Sequence, residues 1–367
     1  MKIFQHIDEY HPLDGIGNDC RGFRKIFDEL SISNFIVTKR NFSINEENIL
    51  NIHDSIKSNS NDVHILHYGG CGYPLDNFLK IPGRKILRFH NITPAEFYLG
   101  CKEGVYLSME RFYTKSIIEL SSLSNLIEIA LCDSNTNAEL LKQVSSISTL
   151  TIPILRNYSK LVVRDNKNTE ISNNLINKKS NDLIFVGRFV PNKKIEDCII
   201  LFYFWNKIHS NAKLHLVGGT VPGIEEYYQF LLSWIKELSL EESIIFHFKK
   251  SDTEKIALLE QSLFYISMSE HEGFGIPLLE AMQTETIVLA FAQTAVPETM
   301  KSGGILFNQK NFIMIAELMD TIQKDLGFQK RILKSQDKAL LYYENFPYRQ
   351  TINSILYDQN YLKKTGT

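Results

Sequence analysis

Glu270-His271-Glu272-Gly273-Phe274-Gly275-Ile276-Pro277-Leu278-Leu279-Glu280 is the stretch from which the rest of this chain is read. It follows an apolar run, Leu263 to Met268, that reads as a buried strand. It leads into Pro277 to Gln283, which reads as a helix. Gly273 and Gly275 flank an aromatic in a tight loop, where missing side chains let backbone N–H groups approach a ligand. Pro277 suits the first helical position. A helix beginning there turns its positive end toward the loop, a natural seat for a diphosphate. Glu272 lies in the loop and Glu280 about one turn into the helix. Two carboxylates so placed suit hydroxyl-rich partners, because each accepts two or more O–H bonds. Either glutamate alone would read as a solvated or capping residue; the whole string points to a ligand seat.

A strand–loop–helix of this kind belongs to a doubly wound sheet, and the surrounding sequence repeats it. Upstream, Asp182 to Val186 reads as a strand, Ile195 to Ile208 as a helix, and Lys213 to Val217 as a strand ending in Gly218-Gly219. Tyr227 to Leu238 reads as a helix, Ser243 to Phe248 as a strand and Thr253 to Gln261 as a helix. Downstream, Thr286 to Ala290 reads as a strand. The stretch Asn311 to Lys364 reads as mostly helical, broken at Pro347. The first half carries the same alternation. Lys2 to Ile7, Val63 to His67, Lys85 to Phe89 and Leu126 to Cys132 read as strands, and Arg21 to Leu30 and Thr136 to Val144 as helices. Alternating strands and helices predict parallel sheets covered on both faces. Between the halves, Asn166 to Asn181 is rich in Asn, Lys and Ser and reads as a connection.

The expected fold is therefore α/β, with two Rossmann-like doubly wound domains facing each other across a cleft. The expected boundaries are 1–160, a linker at 161–181, a second domain at 182–345, and a C-terminal helix at 346–367. A chain of 367 residues is long for one core and comfortable for two. Hydrophobic residues are 44% and charged residues 22%, the balance of a globular protein. Lys plus Arg is 40 and Asp plus Glu is 42, giving a net charge of -2. Nucleic-acid binding, which needs a clear basic excess, is not expected. An anionic ligand must instead be held by a local cluster. The five cysteines are scattered, odd in number and without a C-x-x-C pair, which points to a reducing, cytoplasmic compartment and against a zinc site. Met1 to Ile7 runs into a polar segment without an apolar leader, and no run is long enough to span a bilayer. Any membrane association is expected to be peripheral, on the inner face.

Three further strings carry chemistry. Val186-Gly187-Arg188-Phe189-Val190-Pro191-Asn192-Lys193-Lys194 ends one strand and precedes a helix, so Arg188 and Lys193 can converge on a phosphate, one as a fork and one as a point charge. Alone it would read as a basic surface loop. Asp14-Gly15-Ile16-Gly17-Asn18 follows the first strand and reads as a glycine loop that admits a ligand; it lacks the third glycine of the dinucleotide fingerprint. His90-Asn91-Ile92-Thr93-Pro94 places His90 at the carboxyl end of a strand, where ligands bind in open α/β sheets. His67, in His67-Tyr68-Gly69-Gly70, has a similar placement.

Taken together, these strings resemble the retaining GT-B glycosyltransferases of family four. Glu272 to Glu280 is similar to that family's paired-glutamate motif. Gly187 to Lys193, His90 to Pro94, Gly15 to Asn18 and Val296-Pro297-Glu298 resemble its other strings, in the family's order and spacing. The resemblance implies a nucleotide-sugar donor, UDP- or GDP-linked, and a saccharide or lipid-linked saccharide acceptor in surface-polysaccharide or glycoconjugate synthesis. Arg188 and Lys193 would grip the diphosphate. Glu280 would meet the ribose hydroxyls and Glu272 the transferred sugar. Gly273, Phe274, Gly275 and Ile276 would line the donor, with backbone donors from the last three. Gly15 and Gly17 would border it from the N-terminal side, and His90 would sit near sugar and acceptor. The resemblance also implies same-face transfer, and that the final helix crosses back onto the first domain. Two positions depart from the pattern: Lys194 stands where many relatives have Gly, and Glu285-Thr286-Ile287 replaces a more usual Gly-x-Pro.

Catalytic roles thus fall to His90, Arg188, Lys193 and Glu272. The sequence has no D-x-D string, so no metal and no cofactor are expected, and cationic side chains with a helix end would stabilise the leaving group. Three rivals remain at this level. A catalytically silent scaffold would not need Arg188, Lys193, Glu272 and Glu280 intact. A nicotinamide oxidoreductase would need the full glycine fingerprint. A nucleotide-sugar epimerase would act without an acceptor.

Overall fold

Two parallel β-sheets organise the computed structural model, which describes residues 1–11, 14–43, 46–159, 161 and 179–358. The chain divides into two units. One comprises Met1–Pro94, Ser108–Asn157 and Phe346–Thr367; the other comprises Ala95–Leu107 and Tyr158–Asn345. Of the expected linker, 162–178 lie outside the described residues, as do 359–367 of the expected terminal helix.

The first unit holds strands β1 (Ile3–Tyr10), β2 (Asn34–Asn41), β3 (Ile49–Asn51), β4 (Val63–Tyr68), β5 (Arg84–Phe89), β6 (Ile129–Cys132) and β7 (Thr149–Thr151). They lie in the order β3-β2-β1-β4-β5-β6-β7, all parallel. The order reverses between β1 and β4, which makes their carboxyl ends a switch point. Both faces are covered. On one, Phe23 and Phe27 of the helix Gly15–Glu29 pack with Ile65, Ile86 and Leu131, joined by Ile352, Ile355 and Leu356 of the helix Tyr348–Tyr357. On the other, Leu120 of the long helix Glu103–Ser122 packs with Leu66, Leu87 and Phe89. The terminal helix is tied down by Arg84, whose guanidinium donates to the carbonyls of Leu356 (2.7 Å) and Ile355 (2.9 Å).

The second unit repeats the plan with β8 (Ser180–Phe189), β9 (Leu214–Thr220), β10 (Ile244–Phe248), β11 (Ser262–Ser267), β12 (Ile287–Phe291) and β13 (Ile305–Phe307). Their order is β10-β9-β8-β11-β12-β13, again all parallel, with the reversal between β8 and β11. The helices Ile195–Ile208, Glu225–Glu237 and Asp252–Gln261 start or end within two residues of their expected limits. Pro347 does divide two helices, Leu326–Glu344 and Tyr348–Tyr357.

Several expectations need correction. Gly15 and Gly17 are not in a loop. They form the first turn of a helix that begins six residues earlier than expected, because Asp14 caps it: the Asp14 carboxylate accepts the Gly17 N–H at 2.6 Å. A Cβ on Gly17 would lie 1.8 Å from the His11 carbonyl oxygen, so close chain approach explains this glycine. Pro277 is the second residue of its helix, not the first, because Ile276 opens it. The strands β2, β3, β7 and β13 and the helices Leu75–Lys80, Glu103–Ser122 and Val296–Met300 are additional to the elements expected. The five cysteines are free thiols, three of them buried. Among the described residues no helix is long and apolar enough to cross a membrane.

Candidate functional site

In the second unit, the site grows from the carboxyl ends of β8 and β11, the two strands at the switch point. After β8 the chain makes a short 3-10 turn, Pro191–Lys193. After β11 it runs through Glu270, His271 and Glu272 into the glycine loop. The two loops are laced together by backbone: the Glu270 N–H donates to the Asn192 carbonyl (2.9 Å), and the Asn192 side-chain amide donates to the His271 carbonyl (3.0 Å). This lacing sets Lys193 beside Glu272, with Nζ 2.6 Å from Oε1. The Glu272 N–H donates to Thr294 Oγ1 at 2.9 Å, which fixes the loop from the β12 side.

Gly275 closes the loop at φ 91, a left-handed conformation that favours glycine, and caps the helix Ile276–Gln283. The Thr299 hydroxyl donates to the Phe274 carbonyl, anchoring the loop to the short helix Val296–Met300. Within that helix lies the Val296-Pro297-Glu298 string.

Glu280, expected near Glu272, is buried and takes a different cation. Lys255 Nζ lies 2.9 Å from Glu280 Oε1 and 3.0 Å from Asp252. Burial would lower the Lys255 pKa, but Glu280 and Asp252 outweigh it and hold the ammonium above its usual value. Arg188 sits exposed at the end of β8; among the described residues it has no acidic partner within ion-pair distance, and its charge is felt at Tyr98. Burial pushes the His271 imidazole down to about 4, so it is neutral, and it packs against Phe97. The Lys193–Glu272 pair is thus formed directly, while Arg188 and Glu280 are separate members of the same sheet edge.

A further acid–base network was not legible from strings. Lys310 Nζ bridges Asp197 (2.6 Å) and Glu270 (2.7 Å), and Lys194 stands 3.7 Å from both Glu196 and Glu270. Lys194 occupies a left-handed backbone position (φ 50, ψ 51), a conformation that glycine adopts without the steric cost a side chain brings.

In the first unit, His90 continues the β5 ladder, its N–H donating to the Tyr68 carbonyl at 2.9 Å. Its imidazole turns inward. Nε2 lies 3.2 Å from His67 Nδ1, and Nδ1 lies 3.4 Å from Asp133 Oδ2. Beneath it, Asp19 receives Arg88 in a two-pronged pair (2.7 and 3.1 Å) and the Leu155 N–H (2.7 Å). All these side chains are buried. Asp19, His67 and His90 bring three possible ligand atoms within 4.8 Å, but Arg88 already supplies the cation that Asp19 faces. Burial would raise the Asp19 pKa; Arg88 outweighs it and keeps the carboxyl below the usual range. The one signal available in sequence was Arg88 itself, a charge inside the apolar run Lys85 to Phe89, which demands a buried partner.

Residues 166–339 match the family model described as glycosyl transferases group 1. The chain is 35% identical over 89 residues to the alpha-1,3/1,6-mannosyltransferase ALG2 of Mus musculus, across 23% of this chain and 20% of that protein. It is 25% identical over 142 residues to the GDP-mannose:cellobiosyl-diphosphopolyprenol alpha-mannosyltransferase of Xanthomonas oryzae pv. oryzae, across 38% and 37%. The matches thus span well under half the length of these relatives. Among solved structures, sucrose-phosphate synthase from Thermosynechococcus elongatus superposes with a TM-score of 0.75 at 15% identity, over 99% of this chain and 100% of that one. The glycosyltransferase WaaG, involved in lipopolysaccharide biosynthesis, superposes at 0.68 and 13%, over 97% and 100%. Anabaena Alr3699/HepE, in complex with UDP and glucose, does so at 0.71 and 15%, over 97% and 99%. These structures share the GT-B fold, with two Rossmann-like parallel-sheet domains.

Proposed function

We propose that this chain, a GT-B protein whose residues 166–339 belong to glycosyl transferases group 1, is a retaining, metal-independent glycosyltransferase. It takes a hexose from a UDP- or GDP-linked donor and passes it to a saccharide or lipid-linked saccharide acceptor, as a step of surface-polysaccharide or glycoconjugate synthesis. The observation that carries the reading is the Lys193–Glu272 pair, at the switch point and immediately before the helix Ile276–Gln283.

On this reading the donor diphosphate takes over Lys193, joined by Arg188 and the N-terminus of that helix. Glu272, released from Lys193, accepts from the hexose hydroxyls, and Glu280 from the ribose. Gly273, Phe274, Gly275 and Ile276 border the donor. In transfer, the bond from the anomeric carbon to the diphosphate oxygen breaks and a bond to the acceptor hydroxyl oxygen forms on the same face. The hydroxyl proton passes to the departing phosphate oxygen. Positive side chains and backbone donors neutralise the charge left on the diphosphate, the work a divalent ion does elsewhere. The similarity to the GDP-mannose-dependent relative of Xanthomonas oryzae favours a GDP-linked hexose among the candidates. A lipid-linked acceptor would bring the chain to the cytoplasmic membrane surface.

The test is direct. A thermal-shift screen against UDP, GDP, ADP and dTDP is expected to raise the melting point with one of the first two. Transfer from the matching nucleotide sugar is then measured with and without acceptor. Absence of a shift with every nucleotide would remove the reading.

A further inference from the structure

The second unit holds another lysine–carboxylate pair besides Lys193–Glu272. Lys255 Nζ donates to Glu280 Oε1 at 2.9 Å. Glu280 belongs to the helix Ile276–Gln283 and Lys255 to the helix Asp252–Gln261. A capping box fixes the start of the latter: the Ser251 hydroxyl accepts the Glu254 N–H at 3.3 Å, and the Glu254 carboxylate accepts the Ser251 N–H at 3.0 Å. Lys255 therefore stands in the first turn, where a cation opposes the helix dipole. Its place is set instead by the carboxylates it faces, Glu280 and Asp252, which keep it charged. The two lysine–carboxylate pairs serve one strand. Burial raises the pKa of the Tyr265 phenol on β11, and the Glu272 and Glu280 carboxylates both raise it further, so both lie close to the same residue.

We infer that Lys255 determines specificity for the ribose of the donor: it holds Glu280 Oε1 in place and donates to a hydroxyl oxygen of the 2′,3′-diol, so that the two side chains together select a ribonucleotide. This rests on the reading of Glu280 as the ribose acceptor. A hydroxyl both donates and accepts, whereas a carboxylate only accepts and an ammonium only donates, so the pair meets both needs of a diol. An ammonium carries three N–H donors, and the bond to Glu280 does not exhaust them. The Lys255 and Glu280 side chains are 18% and 9% exposed, so the pair is largely desolvated without being sealed. Polar groups held in such surroundings reject an analogue that lacks the hydroxyl, because they are then left without a partner.

The experiment is calorimetric titration of the full chain with UDP and GDP, with the 2′,3′-dideoxy form of each, and with inorganic pyrophosphate. The wild-type chain is expected to bind the preferred ribonucleotide roughly 10–100-fold more tightly than its dideoxy form. In Lys255→Met that preference is expected to shrink to near unity through loss of ribonucleotide affinity, while pyrophosphate affinity is unchanged. A preference retained at the wild-type ratio overturns the inference. So does an equal weakening of ribonucleotide, dideoxynucleotide and pyrophosphate, which is what a merely structural lysine would give. Lys255→Met/Glu280→Gln leaves no buried charge unpaired and keeps the test decisive where the single variant does not fold; a diol preference that survives in it overturns the inference equally. If the wild-type chain binds a nucleotide but binds its dideoxy form as well, the inference falls and the transferase reading stands. If neither UDP nor GDP binds, the transferase reading falls and the inference with it.

Discussion

Lys193 Nζ lies 2.6 Å from Glu272 Oε1, with the two side chains 16% and 15% exposed. The pair is neutral as a unit and sits where a diphosphate and a sugar would divide it. Lys193→Ala and Glu272→Gln are each expected to lower kcat/KM by roughly 10²–10³-fold, the scale for losing one preorganised partner of a charged transition state. Because the two residues touch, Lys193→Ala/Glu272→Ala is expected to lose less than the sum of the single losses. Initial rates with the nucleotide sugar settle this; strictly additive losses would mean that the two residues act independently.

Arg188 differs in being exposed, at the end of β8, without an acidic partner among the described residues. Arg188→Ala is therefore expected to cost activity by about 10²–10³-fold with little change in melting temperature. A chelator is expected to leave the wild-type rate unchanged. Loss of activity in the chelator, restored by a divalent ion, would replace the metal-free account.

Acid should destabilise the first unit earlier than its carboxylates alone would predict. Burial lowers His67 from 6.5 to about 3 and His64 from 6.5 to about 4. Between those limits the unfolded chain binds protons that the folded chain refuses, so stability falls as pH drops below 6.5. The loss is on the order of a few kcal/mol by about pH 4.5. Asp19 adds to it only at lower pH, since Arg88 outweighs burial and keeps its carboxyl depressed. Urea midpoints measured from neutral to acid pH check the slope, and His67→Gln should flatten part of it. A midpoint constant across that range would contradict neutral buried imidazoles.

Lys194→Gly probes a backbone position rather than a side chain. Lys194 holds a left-handed conformation, and its ion-pair distances to Glu196 and Glu270 are both 3.7 Å. Relief of the left-handed cost, about 1–2 kcal/mol, offsets the extra freedom glycine gives the unfolded chain, about 0.4–1 kcal/mol. The variant is expected to be as stable as wild type or up to about 1 kcal/mol more stable by urea titration. A clear destabilisation would mean that the long ion pairs contribute more than their geometry suggests.

Periodicity and punctuation carried the architecture. Apolar runs such as Leu183 to Val186 and Leu263 to Met268, each followed by a glycine or proline signal and a helix, are local properties of the chain, and they predicted strands where strands are found. The helix Glu103–Ser122 was obscured because only Ser116 and Leu120 of its twenty residues are fully buried, so its sequence lacks a sharp apolar stripe. The short β3 and β7, three residues each, are too brief to leave a period.

The candidate site divides along the same line. The sequence by itself determined that Arg188, Lys193, Glu272 and Glu280 stand at strand ends and helix starts, because each lies within a few residues of the element that positions it. Only the tertiary structure decided who meets whom. Glu272 takes Lys193, Glu280 takes Lys255, Asp19 takes Arg88 across 69 residues, and His90 rests between His67 and Asp133. Those pairings depend on strand order and register, which bring distant segments within a few ångströms. Charge meets its partner by distance in space, and distance along the chain does not encode it.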